Sequence, residues 1–163
     1  MNFLYPILAA AFFTIHGGAV PLDGLTNLDG SAAKLDHGKD LELVVLWATW
    51  CPECKEKLKN KLGEVNQRPD VAVVAVNAET DISRVKHFVE KEKITVPVLL
   101  DLDGTLRKSL KAFSVPHWAV YQRTGPKSRS GPEKESLTSW HLVDTAPAFE
   151  WERIEKALGF AIR

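Results

Sequence analysis

Short continuous apolar runs alternate along the chain with segments of helical spacing, an order that predicts an α/β domain whose first strands run parallel. Leu43-Val44-Val45-Leu46-Trp47-Ala48 is rich in β-branched residues and has no polar face, as expected of a strand buried on both sides. Val71–Val76 repeats the pattern, and between the two runs Leu58, Leu62 and Val65 recur on one helix face. A chain of 163 residues suffices for one domain with a real core and is too short to suggest two.

The elements follow in order. Residues 1–20 contain no Lys, Arg, Asp or Glu, and the nearly all-apolar stretch Phe3–Ile15 is followed by His16-Gly17-Gly18-Ala19. That is the shape of a secretory signal with a small-residue cleavage zone around Ala19. The run falls short of the roughly 20 apolar residues of a spanning helix. Only the amino terminus places a positive charge ahead of it, and a buried N-terminal helix is the alternative. The expectation is export, to the periplasm or the outer face of the cytoplasmic membrane. Residues 1–20 are then a signal peptide or N-terminal membrane anchor, and residues 21–163 are the folded domain. Asp23-Gly24 and Asp29-Gly30 are turn signals, so residues 22–35 predict a small hairpin leading into the domain.

After the first buried strand, helical spacing runs from Cys51 to Val65. Beyond the Val71–Val76 strand, Thr80 and Asp81 supply cap residues for a helix reaching Lys93, with Ile82, Val85, Phe88 and Val89 as its apolar stripe. Val96–Leu100 reads as a third strand, with Pro97 near its start. Leu106, Leu110 and Phe113 mark a short helix. Trp118–Gln122 and Trp140–Val143 are the fourth and fifth strands, separated by an exposed loop over residues 124–139 rich in Gly, Pro, Ser and charge. Phe149–Leu158 is a closing helix stopped by Gly159. Trp47, Trp140 and Trp151 are read as core aromatics.

Lys plus Arg equals Asp plus Glu at 21 each, so the formal net charge is zero and nothing supports nucleic-acid binding. Partners are therefore expected among proteins and small thiols. The chain has two cysteines, Cys51 and Cys54. A bond closing so short a loop restrains the unfolded chain little, so stability is a poor reason for the pair and chemistry a better one. A structural zinc site would want four ligands, and the scattered His37, His87 and His141 do not complete one. No cofactor is implied.

Trp50-Cys51-Pro52-Glu53-Cys54 sits where a buried strand gives way to a helix. A helix N-terminus presents unpaired N–H groups and roughly half a positive charge, which favours the thiolate at Cys51 and lowers its pKa. The thiolate is the attacking species in disulfide exchange. Cys54, one turn on, is placed to attack the mixed disulfide and release the product. Pro52 suits the first helical turn, where its missing N–H is no loss. Trp50 is expected at an apolar rim that meets a protein substrate. Glu53 could tune the cysteines, its plainer role being a favourable acid in the first turn. Val115-Pro116-His117 precedes an apolar strand; a cis Val115–Pro116 bond would set the Val115 backbone beside the cysteines, free to pair with an incoming peptide.

These runs resemble the thioredoxin superfamily, specifically its exported branch of TlpA, ResA and cytochrome c maturation thioredoxins. Leu46-Trp47-Ala48-Thr49-Trp50-Cys51-Pro52-Glu53-Cys54 is similar to that branch's F-W-A-x-W-C-x-x-C. Val74-Ala75-Val76-Asn77, Val96-Pro97-Val98-Leu99-Leu100-Asp101 and Val115-Pro116 follow in the family's order, the match covering residues 22–125. The resemblance implies a thioredoxin-like fold, a central mixed sheet flanked by helices. It further implies Cys51 as nucleophile, Cys54 as resolving thiol, a Cys51–Cys54 disulfide, and Pro116 as the cis proline. The implied task is reduction of disulfides in exported proteins, often apocytochrome c, with electrons from a membrane-bound thiol–disulfide donor. Three positions depart from the pattern: Val45 stands where a buried Asp or Asn is usual, Lys57 replaces a Glu, and His117 replaces a Thr. Positive charge from Lys57 or His117 leaning on the sulfurs would make the pair more oxidising. The alternatives are a thiol oxidant, a non-catalytic binding module with a permanent disulfide, a thiol peroxidase and a copper-delivery module. The C-x-x-C itself argues against the last two.

Overall fold

The computed structural model describes residues 22, 24–33, 38–124 and 139–159. The expected signal or anchor and residues 125–138 of the expected loop lie outside them.

In chain order the elements are β1 (Thr26–Asn27), β2 (Leu41–Trp47), α1 (Pro52–Lys59), α2 (Lys61–Asn66), β3 (Val71–Asn77), α3 (Ile82–Glu92), β4 (Val98–Leu100), α4 (Thr105–Ser109), β5 (His117–Thr124), β6 (Ser139–Pro147) and α5 (Trp151–Ala157). Among the described residues the strands form one mixed sheet, ordered β1-β4-β3-β2-β5-β6. β2, β3 and β4 run parallel, whereas β5, β6 and β1 join antiparallel. The expected N-terminal hairpin is present: Thr26 bridges Ala32, and Ala33 N–H donates to the Leu25 carbonyl at 2.9 Å. Its turn at Gly30 has φ 88°, which glycine adopts without a Cβ penalty.

Period-two alternation divides the core between the two sheet faces. Leu43, Val45 and Trp47 pack on one face against Cys54 and Leu58 of α1, Leu62 and Val65 of α2, Val85 of α3 and Ile154 of α5. Val44, Leu46, Ala119 and Tyr121 pack on the other against Leu106 of α4 and the hairpin's Leu25. Asp81 caps α3 by accepting the Arg84 N–H at 3.0 Å.

Three expectations are corrected. The helix expected over 51–65 is broken at Asn60, whose φ −115° and ψ −87° are non-helical. Phe113 is not part of the short helix, which ends at Ser109; its side chain is 97% exposed. Trp140 and Trp151 are half-buried rather than interior, stacking with Arg123 and Lys61 at 5.3 Å.

Candidate active site

β2 lies at the centre of the sheet, and its C-terminal end delivers residues 48–51 to the start of α1. Cys51 is the N-cap of α1, and Pro52 occupies the first turn with Glu53 exposed beside it. The Cys54 N–H points at the Cys51 Sγ across 3.2 Å, so the orphan donors of this helix end face the sulfur. The two sulfurs are joined, S–S 2.06 Å with Cα atoms 5.3 Å apart. Cys51 keeps 5% of its surface accessible and Cys54 none, so an incoming partner reaches only Cys51.

The antiparallel register of β2 and β5 pairs Leu46 with His117. That pairing brings Val115–Pro116 to the end of β2, and the peptide bond between them is cis. The Pro116 carbonyl accepts the Ala148 N–H at 3.0 Å, whereas Val115 makes no backbone hydrogen bond among the described residues. Trp50 is 67% exposed between two concavities. One, of about 170 Å³, is lined by Phe113, Val115, Ala48 and Glu79; the other, of about 420 Å³, lies between α1 and α3 and reaches Cys51.

The contacts of His117 and Lys57 are made with groups other than the sulfurs. Alternation along β5 sends Trp118 and Val120 into the core that holds Cys54, and places His117 with Ala119 and Tyr121 on the opposite face. Thr145 Oγ1 donates to the Trp118 carbonyl at 2.7 Å and accepts from His117 Nε2 at 2.9 Å, which assigns that proton to Nε2. Burial holds the His117 ring below its usual range, so it is favoured neutral. Lys57 Nζ pairs with Glu56 at 2.7 Å. The electrostatic tuning expected of these two residues is therefore not built into their contacts.

Val45 is fully buried in the cysteine-side core. The buried carboxylates among the described residues are elsewhere. Glu42, an alternation step that puts it on the other face, is pushed by burial up to about 7. Asp101 caps α4, accepting from the Leu106 and Arg107 N–H groups at 3.1 Å.

A contact invisible in the sequence holds the cysteine loop. Glu79, just past β3, accepts the Thr49 N–H at 2.6 Å and the Thr49 hydroxyl at 2.9 Å. Its own N–H donates to Asn77 Oδ1 at 2.7 Å, and the Ala78 N–H donates to the Trp47 carbonyl at 3.0 Å. The loop after β3 thereby clamps the loop after β2, two residues ahead of Cys51. The residue itself stands two positions behind the Val74-Ala75-Val76-Asn77 strand, but its partner Thr49 lies 30 residues away and only the parallel pairing of β2 and β3 brings the two together.

The Redoxin family model matches residues 15–125. The chain is 26% identical over 124 residues to the sporulation thiol-disulfide oxidoreductase A of Bacillus subtilis (strain 168), covering 71% of this chain and 75% of that protein. It is 30% identical over 113 residues to the thiol-disulfide oxidoreductase ResA of Bacillus thuringiensis subsp. konkukian (strain 97-27), covering 67% of this chain and 65% of that one. The crystal structure of StoA from Bacillus subtilis superposes with TM-score 0.57 at 20% identity, covering 82% of this chain and 93% of StoA, a likeness of fold. The chain therefore belongs to the Redoxin family and is a thiol–disulfide oxidoreductase.

Proposed function

We propose that the protein is a disulfide reductant for exported proteins, with Cys51 as nucleophile and Cys54 as resolving thiol. The observation that supports these roles is the unequal burial of the pair, Cys51 keeping 5% of its surface accessible and Cys54 none. The reduced Cys51 thiolate attacks a substrate disulfide, forming a Cys51–substrate bond and releasing one substrate thiolate. Cys54 then attacks Cys51, which frees the second substrate sulfur and leaves the Cys51–Cys54 disulfide. Two electrons pass to the substrate, and its two thiols take up two protons. The disulfide form is thus the spent enzyme, and a membrane-bound thiol–disulfide donor returns two electrons to it.

Helix N–H groups at Cys51 favour the leaving thiolate and the attacking one alike. Trp50 and the Val115 backbone supply an apolar rim and a strand edge for the substrate, and Pro52 and Glu53 shape the first turn. Lys57 and His117, the two residues whose charge would favour an oxidant, are engaged with Glu56 and Thr145. Export rests on the pattern of residues 1–20, and apocytochrome c as substrate rests on the ResA-type resemblance.

The test is the reduction potential of the pair, equilibrated against glutathione and read by thiol trapping. A value near that of thioredoxin, about −270 mV, is expected. One near about −120 mV would make the protein an oxidant, and a pair that stays closed under strong reductants would leave a binding module.

A further inference from the structure

The groove of about 420 Å³ beside Cys51 has an apolar floor and a cationic wall. Trp50, Pro52 and Phe88 form the floor. From α3, Arg84, His87 and Lys91 line one side, at a spacing of three and then four residues that stacks them on a single helix face. From α1, Lys55 lines the other side. One carboxylate, Glu92, reaches the groove, and it is already held by Lys55 at 2.6 Å and Lys59 at 3.1 Å. Arg84 stands 3.8 Å from both Glu79 and Asp81 while remaining exposed, and Lys91 makes no ion pair among the described residues. Four cations, Lys55, Lys59, Arg84 and Lys91, thus stand against three carboxylates, Glu79, Asp81 and Glu92, and the excess charge sits at Lys91.

We propose that this groove recognises an acidic segment flanking the disulfide of the protein substrate. The proposal rests on the reductant reading above and names the substrate class that reading leaves open. The geometry fits an extended peptide. Arg84 to Lys91 spans seven helical residues, about 10 Å at 1.5 Å per residue, which equals about three residues of extended chain. A strand whose cysteine lies at Cys51 therefore carries side chains along the α3 wall at alternate positions, and Asp or Glu there meets Arg84 and Lys91. Apolar side chains between them lie on Trp50 and Phe88. Basic segments are repelled by the same wall, so the groove selects by sign.

The experiment compares two disulfide-bridged peptides of equal length, one with Asp and Glu on both sides of the cysteine and one with Lys. Steady-state reduction is followed with wild-type protein and with Lys91→Glu and Arg84→Glu/Lys91→Glu. In wild type at low salt KM is expected to be about tenfold lower for the acidic peptide, the preference collapsing in 0.5 M salt. The Lys91→Glu change raises KM for the acidic peptide and lowers it for the basic one, leaving kcat and the reduction potential unchanged. Equal KM values for the two peptides in wild type, or a shift of both in the same direction on charge reversal, would overturn the proposal. Binding of cysteine-free versions of both peptides to the oxidised protein, by titration calorimetry, decides the groove independently of turnover. Should neither peptide be reduced, the reductant reading fails, and preferential binding of the acidic peptide still supports the groove. Binding of anionic vesicles that Lys91→Glu abolishes, without peptide preference, would assign the wall to a membrane surface and refute the peptide.

Discussion

Glu79→Ala removes the clamp on the cysteine loop at its acceptor end. The wild-type carboxylate takes two strong hydrogen bonds, from the Thr49 N–H at 2.6 Å and the Thr49 hydroxyl at 2.9 Å, and a longer one from Asn77 Nδ2 at 3.3 Å. With its side chain only 13% exposed, Glu79 is poorly replaced by water. A hydrogen bond to a charged group contributes about 1.5–3 kcal/mol net, and the Thr49 hydroxyl of the variant can turn to solvent whereas the backbone N–H cannot. The expected loss is therefore about 2–3 kcal/mol. For a chain of this size that is a fall in Tm of about 4–12 °C. Glu79→Gln keeps one oxygen for the Thr49 N–H and is expected to cost about half as much. Thermal unfolding by circular dichroism measures both, on oxidised and reduced protein, and a Thr49→Val partner completes a double-mutant cycle. A coupling energy of about 0.5 kcal/mol or more is expected between Glu79→Ala and Thr49→Val, because both act on one contact. A Tm within about 1 °C of wild type, or strictly additive variants, would show that Glu79 is an ordinary surface acid and that the clamp does not exist in solution.

Four further outcomes are expected. Leu58→Ala opens a cavity in the cysteine-side core and should cost about 2–5 kcal/mol by chemical denaturation; a loss under about 1 kcal/mol would contradict its full burial. Glu42 is raised by burial from 4.5 to about 7, so the folded state holds a proton that the unfolded state releases, and stability declines as pH rises from 4.5 to 7. Glu42→Gln should abolish that decline, which is on the order of 3 kcal/mol, and an unchanged pH slope would refute the assignment. His117 has the opposite sign: its lowered pKa makes the unfolded state protonate first, so its share of stability is complete above about 6.5 and is lost as pH falls below it. His117→Asn should flatten that acid-side loss in denaturant titrations at several pH values. Lys57→Ala should leave the reduction potential within about 10 mV of wild type, since its ammonium is spent on exposed Glu56; a shift of about 30 mV, equal to about 1.4 kcal/mol, would mean that Lys57 reaches the sulfurs.

The parts of this site that could be read directly were those written in consecutive residues. Trp50-Cys51-Pro52-Glu53-Cys54 after an apolar run fixes its own local geometry, because a strand end, an N-cap and a first-turn proline each depend on neighbours close in the chain. The hairpin at Asp29-Gly30 belongs to the same class, whereas the cis bond at Val115–Pro116 is expected only from the resemblance and the distant C-x-x-C, since an X–Pro bond by itself favours trans. Helical periodicity carried α1 and α2 as one helix, since Leu58, Leu62 and Val65 keep the same face on either side of the break at Asn60. The spacing of Leu106, Leu110 and Phe113 fits a helix, but a periodic pattern says what a side chain prefers and not what surface remains to cover it.

The fold class, the cysteine pair and the succession of strands and helices along the chain were legible in the residues alone, because hydrophobic period and short-range backbone chemistry are local. Only the tertiary structure decided which charges stand near the sulfurs. His117 follows Pro116 yet strand alternation turns it to Thr145 on the far face, while Glu79, Arg84 and Lys91 come from across the β3–α3 loop to hold Thr49 and to wall the groove at Cys51. Long-range contacts of that kind depend on the register between strands and the face of a helix, and a one-residue slip in either would reverse them.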